Sequence, residues 1–130
     1  MRAVRSRDTK PEMVVRRLLH RLGYRYRLHR RSLPGTPDIV FGPRRKVIFV
    51  HGCFWHGHSC PRGARLPATN TEYWRRKIHR NVERHAEQTE QLRAAGWTTL
   101  VVWECQIAPE ETLARHLRTF LDSATTSSAG

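Results

Sequence analysis

Acidic residues are scarce in this chain: eleven Asp plus Glu stand against 24 Lys plus Arg, a formal charge of +13 over 130 residues. A field of that sign suits phosphate backbones, and Arg supplies most of it. A membrane surface would attract the same charge, so charge alone does not choose the partner. Long apolar runs are also missing. Nothing approaches the ~20 residues of a spanning helix, and the basic N-terminus is not followed by the apolar stretch of a signal peptide. A soluble, intracellular chain is expected. Cysteine is scarce and odd in number, three in all, which argues for metal ligands or free thiols over a disulfide framework. A Cys53–Cys60 disulfide is the competing reading. The length allows one core, so a single domain over 1–122 is expected, followed by a Ser/Thr/Ala tail from Ser123 to Gly130 of disordered composition.

What the chain does have is clear punctuation. Thr9-Lys10-Pro11-Glu12 reads as a capping box with Pro in the first turn, opening a helix whose apolar face is Val14, Val15, Leu18, Leu19 and Leu22 and which Gly23 ends. Tyr24, Tyr26 and Leu28 alternate with Arg25, Arg27 and His29, as in a half-buried strand. After the turn at 34–37, Ile39-Val40-Phe41 and Val47-Ile48-Phe49-Val50 pair as a hairpin through Gly42-Pro43-Arg44-Arg45-Lys46. A second helix runs from Glu72 to Ala95 with Ile78, Val82, Ala86, Thr89 and Leu92 as its buried stripe. A buried strand, Thr98 to Trp103, and a final amphipathic helix opening at Pro109 complete the order. Helix followed by strand favours an α/β fold with at least one parallel pair.

The densest chemistry lies directly after the second hairpin strand. His51-Gly52-Cys53-Phe54-Trp55-His56-Gly57-His58-Ser59-Cys60 places two thiols, three imidazoles and two large aromatics within ten residues. Cys53, His58 and Cys60, with Cys105 at the end of the last strand, have the donor types and number of a closed tetrahedral Zn²⁺ site. The plainer reading makes Cys53 and Cys105 small buried residues and His58 a surface histidine. Asp38 begins a strand, where a hard carboxylate suits Mg²⁺. His56 is then the base that takes a proton from water, with His51 assisting. Alternatively, Asp38 caps the Pro-rich turn.

Ser32-Leu33-Pro34-Gly35-Thr36-Pro37-Asp38, Val50-His51-Gly52-Cys53-Phe54-Trp55-His56, Tyr73-Trp74, Lys77, Asn81-Val82-Glu83-Arg84 and Val102-Trp103-Glu104-Cys105 together resemble the very-short-patch repair endonucleases, in order and over nearly the whole chain. The resemblance implies a restriction-endonuclease-like core, a mixed central sheet flanked by helices with a structural zinc site. It implies nicking of one strand of double-stranded DNA 5′ to the thymine of a T:G mismatch, the lesion left by deaminated 5-methylcytosine. By this likeness Asp38 is the main Mg²⁺ ligand, His56 the general base and His51 auxiliary. Glu12 supports the metal through water, a role that competes with its place in the capping box. Cys53, His58, Cys60 and Cys105 are the zinc ligands. The second acid and the lysine of the wider nuclease pattern are missing from the Val47 to His51 strand, leaving proton transfer to histidine. Val50 stands where relatives often have Thr, so only its backbone carbonyl is available to the metal.

Phe54, Trp55 and Trp74 read as wedges for a weakly stacked base pair, and Trp74, Lys77 and Asn81 share one helix face at i, i+3 and i+7. Trp97 and Trp103 read as core. Arg16, Arg17, Arg21, Arg25, Arg27, Arg30, Arg31, Arg44, Arg45 and Lys46 are candidates for phosphate contacts. A monomer is expected, because a single nick needs one active site. The protein would be cytoplasmic in a bacterial-type cell and nucleoid-associated on DNA, and a link to a DNA methyltransferase or a mismatch-repair protein is compatible with the resemblance. A restriction-like or single-strand nuclease and a non-catalytic zinc-stabilised DNA-binding module are the alternatives.

Overall fold

Two hydrophobic layers on opposite faces of one sheet organise the molecule. The computed structural model describes residues 9–54, 56–58, 60 and 66–123. In chain order these form α1 (Lys10–Arg21), β1 (Arg27–Leu28), β2 (Ile39–Phe41), β3 (Lys46–His51), α2 (Thr71–Ala94), β4 (Thr98–Trp103), a 3₁₀ turn (Glu104–Gln106) and α3 (Glu110–Asp122). The sheet runs β1-β2-β3-β4. β2 and β3 form the expected antiparallel hairpin, Ile39 facing Ile48, and β3 and β4 run parallel with His51 beside Trp103. Strand residues alternate between the faces. Ile39, Phe41, Ile48 and Val102 pack with Val15, Leu18 and Leu19 of α1 and Leu113, Leu117 and Leu121 of α3. Val40, Val47 and Phe49 pack with Leu92 of α2 and Trp97 on the other side. This is the mixed α/β sheet with flanking helices of a restriction-endonuclease-like core.

Local signals work as expected at α1. The Thr9 hydroxyl accepts the Glu12 N–H at 3.3 Å, and Gly23 leaves the helix at φ 92°, a conformation only glycine adopts without cost. The strand expected over Tyr24 to His29 is correct in burial but short in ladder. Only Arg27 and Leu28 pair with β2, while Tyr24 and Tyr26 pack edge-on against Phe41 at 6.4 and 6.2 Å.

Two expectations need correction. Val82 and Ala86 are exposed, and of the expected α2 stripe only Ile78 and Leu92 are buried. Between those two anchors the inward face carries Asn81, His85 and Gln88, which line a cleft instead of the core. An apolar pattern cannot locate a helix face that covers a polar cavity.

The second correction concerns the basic turn. Lys46 is 1 % exposed and donates from Nζ to the carbonyls of Phe120 and Ser123 at 2.6 Å and of Leu121 at 3.2 Å. It satisfies the orphan carbonyls at the end of α3. Arg44 also donates to Leu121 O at 2.8 Å, and Arg45 lies over Trp97 at 4.4 Å and donates to Ala95 O. All three bind the molecule's own helix ends and rings, and Lys46, being buried, leaves the set of phosphate contacts, while Arg44 and Arg45 stay exposed. Lys46→Met takes the donor from those carbonyls and is expected to lower unfolding free energy by about 2 kcal/mol. Urea denaturation checks this, and a loss below about 1 kcal/mol contradicts the capping role.

Candidate active site

Asp38 immediately precedes β2, and its Oδ2 accepts the Val50 N–H at 2.7 Å. Extending the hairpin register by two residues sets Val50 opposite Pro37. In a strand the N–H and C=O of one residue face the same edge, so the Val50 carbonyl emerges on the side of Asp38. Pro37 has no N–H to give it. The Pro-Asp pair therefore ends the ladder with a carboxylate and a carbonyl oxygen at one spot.

Glu12, 1 % exposed, reaches the same place from the first turn of α1. Its Oε2 lies 2.7 Å from His29 Nε2 and 3.4 Å from Arg16. The Glu12 backbone N–H takes the Thr9 cap, while its carboxylate lies against His29 and Arg16. One ligand atom each from Glu12, His29 and Asp38 fall within 4.8 Å of one another. Burial pushes the Asp38 carboxyl up to about 7, with the Glu12 charge adding to the rise and the Val50 N–H opposing it.

That value would make binding of a cation at Asp38 pH-dependent. A raised carboxyl contributes stability that is complete below its ordinary value near 3.8 and lost as pH rises through about 7. The metal-free protein therefore loses that contribution above about 7, where a cation meets a carboxylate that is already ionised. Apparent affinity should rise about tenfold per pH unit up to neutrality and then level off. Thermal shifts with Mg²⁺ at pH 5.5 and 8 read this directly, and equal shifts at both contradict it.

His51, the last residue of β3, and His56 on the following loop stack face to face, rings 3.6 Å apart and 5° from parallel. Both Nδ1 atoms are buried without a hydrogen-bond partner among the described residues. Burial, with the neighbouring imidazoles, pushes His51 down to about 2 and His56 down to about 4. Both rings are therefore neutral near pH 7 and can accept a proton. His85 of α2 meets His51 edge-on at 4.4 Å and is lowered by burial as well. Sequence reasoning overlooked it, although it lies four residues after Asn81 on the same helix face. Asp38, Val50, His51, His56 and Asn81 line one open cleft of about 510 Å³, joined by His29, Arg31, Arg84, His85 and Gln88.

The cysteine cluster follows from the parallel register. His51 lies beside Trp103, so Cys53 and Cys105, each two residues further on, emerge at the same end of the sheet. His58 and Cys60 come back on the loop, whose turn is fixed by the His58 N–H to Cys53 O bond at 3.0 Å. One ligand atom from each of the four lies within 4.8 Å of the others. Cys105 Sγ and His58 Nδ1 are 3.6 Å apart, matching the edge of about 3.6 Å for a tetrahedron with Zn–S about 2.3 Å and Zn–N about 2.0–2.1 Å. Burial pushes the Cys53 thiol up to about 12, the Cys105 backbone opposing the rise and the side chains of Cys60 and Cys105 adding to it. All three cysteines are free, which removes the Cys53–Cys60 disulfide. Cys105 is exposed, which removes its reading as a core residue.

On the aromatic side, Phe54 meets Trp74 edge-on at 5.5 Å, and Trp74 meets Tyr73 at 5.1 Å. Lys77 Nζ lies 6.0 Å from the Tyr73 ring. Tyr73, 48 % exposed, belongs to this group and went unassigned in the sequence. Trp55 lies outside the described residues. Trp97 is core, 4 % exposed. Trp103 carries the His58 ring on its face at 4.2 Å and meets His51 and His56 edge-on, so it separates the cysteine cluster from the histidine pair.

A carboxylate at the head of a hairpin strand and imidazoles at the end of its partner converge on one cleft of a mixed sheet, the arrangement expected of a restriction-endonuclease-like fold. The family model described as DNA mismatch endonuclease Vsr matches residues 1–62. The chain is 52 % identical over 122 residues to the type II nicking enzyme V.XorIIP of Xanthomonas oryzae pv. oryzae, covering 94 % of this chain and 89 % of that one. It is 46 % identical over 113 residues to the DNA mismatch endonuclease Vsr of Escherichia coli, covering 87 % and 72 %. Against the type II nicking enzyme V.NmeAIP of Neisseria meningitidis it is 43 % identical over 107 residues, covering 82 % and 76 %. The chain belongs to the DNA mismatch endonuclease Vsr family, phosphodiester hydrolases that act on DNA. No helix among the described residues is long and apolar enough to cross a membrane.

Proposed function

We propose that this protein is a Mg²⁺-dependent, Zn²⁺-stapled endonuclease that nicks one strand of duplex DNA 5′ to the thymine of a T:G mismatch, in repair of deaminated 5-methylcytosine. The observation that carries the reading is the shared cleft: Asp38, Val50, His51 and His56 line it together. Asp38 and the Val50 carbonyl would hold the cation, with Glu12 supporting it. The bound ion supplies charge stabilisation at the phosphate and acidifies water. His56 would accept the proton of the attacking water as its oxygen bonds to phosphorus and the P–O3′ bond breaks, the departing 3′ oxygen taking a proton from solvent. An imidazole well below neutrality is a weak base, but an anionic phosphate in the cleft favours its protonated form and moves it toward the working range. His51 holds the His56 ring flat by stacking and shares the charge that develops.

Phe54, Trp74 and the neighbouring Trp55 are the wedges, and Lys77 and Asn81 the polar readers on the same helix. A mismatch lowers the few kcal/mol needed to unstack a base step, which is how a wedge selects it. Cys53, His58, Cys60 and Cys105 would hold Zn²⁺ with no open position, so that ion is structural. The protein acts as a monomer on this reading.

A labelled duplex with one T:G pair, compared with its T:A control in Mg²⁺ or chelator, tests the proposal. A Mg²⁺-dependent nick only in the mismatched duplex is expected. Equal cutting of both duplexes, or tight binding without cutting, overturns it.

A further inference from the structure

We propose that His29 is a direct protein ligand of the cation at Asp38, and that its imidazole biases this site toward Mn²⁺ over Mg²⁺. The inference rests on the proposed cation role of Asp38 and names a residue and a metal preference beyond it.

Three separate elements deliver the donors: Glu12 from the first turn of α1, His29 directly after β1 and Asp38 directly before β2. Their ligand atoms lie within 4.8 Å of one another. In an octahedral ion with bonds of about 2.1–2.2 Å, neighbouring donors stand about 3.0 Å apart and opposite ones about 4.3 Å. The 2.7 Å separation of His29 Nε2 and Glu12 Oε2 is close to the first, so the two can occupy adjacent positions after a small adjustment. The two are hydrogen-bonded to each other, and a cation would take the place of that bond.

His29 is placed by its backbone. Its φ is 46°, a left-handed conformation that a non-glycine residue adopts at some cost, and its N–H donates to Asp38 O at 3.0 Å. This bond ties the imidazole to the very residue whose carboxylate would bind the ion. The ring is nearly buried, with 13 % of its side chain exposed. An imidazole contributes little to Mg²⁺, a hard ion that favours oxygen and keeps its waters, and more to first-row transition ions. Two carboxylates and one imidazole therefore form a mixed donor set better matched to Mn²⁺.

The test uses zinc-loaded protein and the metals alone. Mn²⁺ binding is followed by electron paramagnetic resonance, Mg²⁺ by competition, and directly bound nitrogen by the ¹⁴N coupling in pulsed spectra. The wild type should show that coupling. His29→Gln, which keeps a hydrogen-bond donor for Glu12, should lose it and weaken Mn²⁺ about tenfold or more, while Mg²⁺ changes by less than about threefold. Absence of nitrogen coupling in the wild type, or equal weakening of both ions by His29→Gln, overturns the proposal and leaves His29 as a positioning residue for Glu12. Asp38→Asn separates the two levels. If Asp38→Asn retains full Mn²⁺ binding, the cation role of Asp38 itself fails; if it abolishes binding while the wild type lacks nitrogen coupling, only the role of His29 fails.

Discussion

Asp38→Asn should abolish nicking of a T:G duplex, with the single-turnover rate falling about 10³-fold or more, while the protein stays folded. The substitution keeps the shape and an oxygen for the Val50 N–H, which the carboxylate accepts at 2.7 Å, so the end of the hairpin ladder survives. What it removes is the ionised oxygen that would hold the cation, and a divalent ion at a phosphate is worth several kcal/mol of transition-state stabilisation. The turn-capping alternative predicts the reverse pattern, a loss of stability with activity falling only as the folded fraction does. Circular dichroism and urea denaturation beside the rate measurement distinguish the two. Because burial raises this carboxyl to about 7, the neutral amide also removes a desolvation penalty, and the metal-free variant should be at least as stable as the wild type at pH 8.

Loss of the proposed structural metal should be as damaging to the fold as Asp38→Asn is to the chemistry. Cys60→Ser and Cys105→Ser should each drop bound zinc well below one equivalent and lower the melting temperature by about 10 °C or more, since metal affinity in a small domain is folding free energy. The exposure of Cys105 makes this informative. An exposed thiol replaced by a hydroxyl leaves no core cavity, so a large loss there reports on the ion. The damage should also reach the active site, because Trp103 carries His58 on its face and packs against His51 and His56. Melting temperatures unchanged by either substitution, with zinc still bound, would contradict the four-ligand site.

Much of this architecture was legible because it rests on local signals. The Thr9 cap, Gly23, the Ile39 and Val47 runs and the parallel β4 could all be read from spacing and burial preference. The cysteine and histidine cluster was legible too, since its chemistry is rare and three of its four members lie close in sequence, and the fold brings one ligand atom of each within 4.8 Å of the others. Other features were not local. Lys46 sits in a basic run that reads as solvated, and its burial follows from α3 ending above it some 75 residues later in the chain. His29 reads as the polar half of an alternating strand, and only the folded path brings it to Glu12. His85 was hidden because α2 turns its polar residues toward a cleft, where a helix reading expects apolar ones.

The most direct measurement of the central claim, that Asp38 and His56 act on one scissile phosphate, is a double-mutant cycle on the single-turnover nicking rate of a T:G duplex. Residues that work as a unit are strongly non-additive. The account predicts that Asp38→Asn combined with His56→Ala is no slower than the slower single variant by more than about threefold. Losses that multiply, as from two independent contributions, would contradict it.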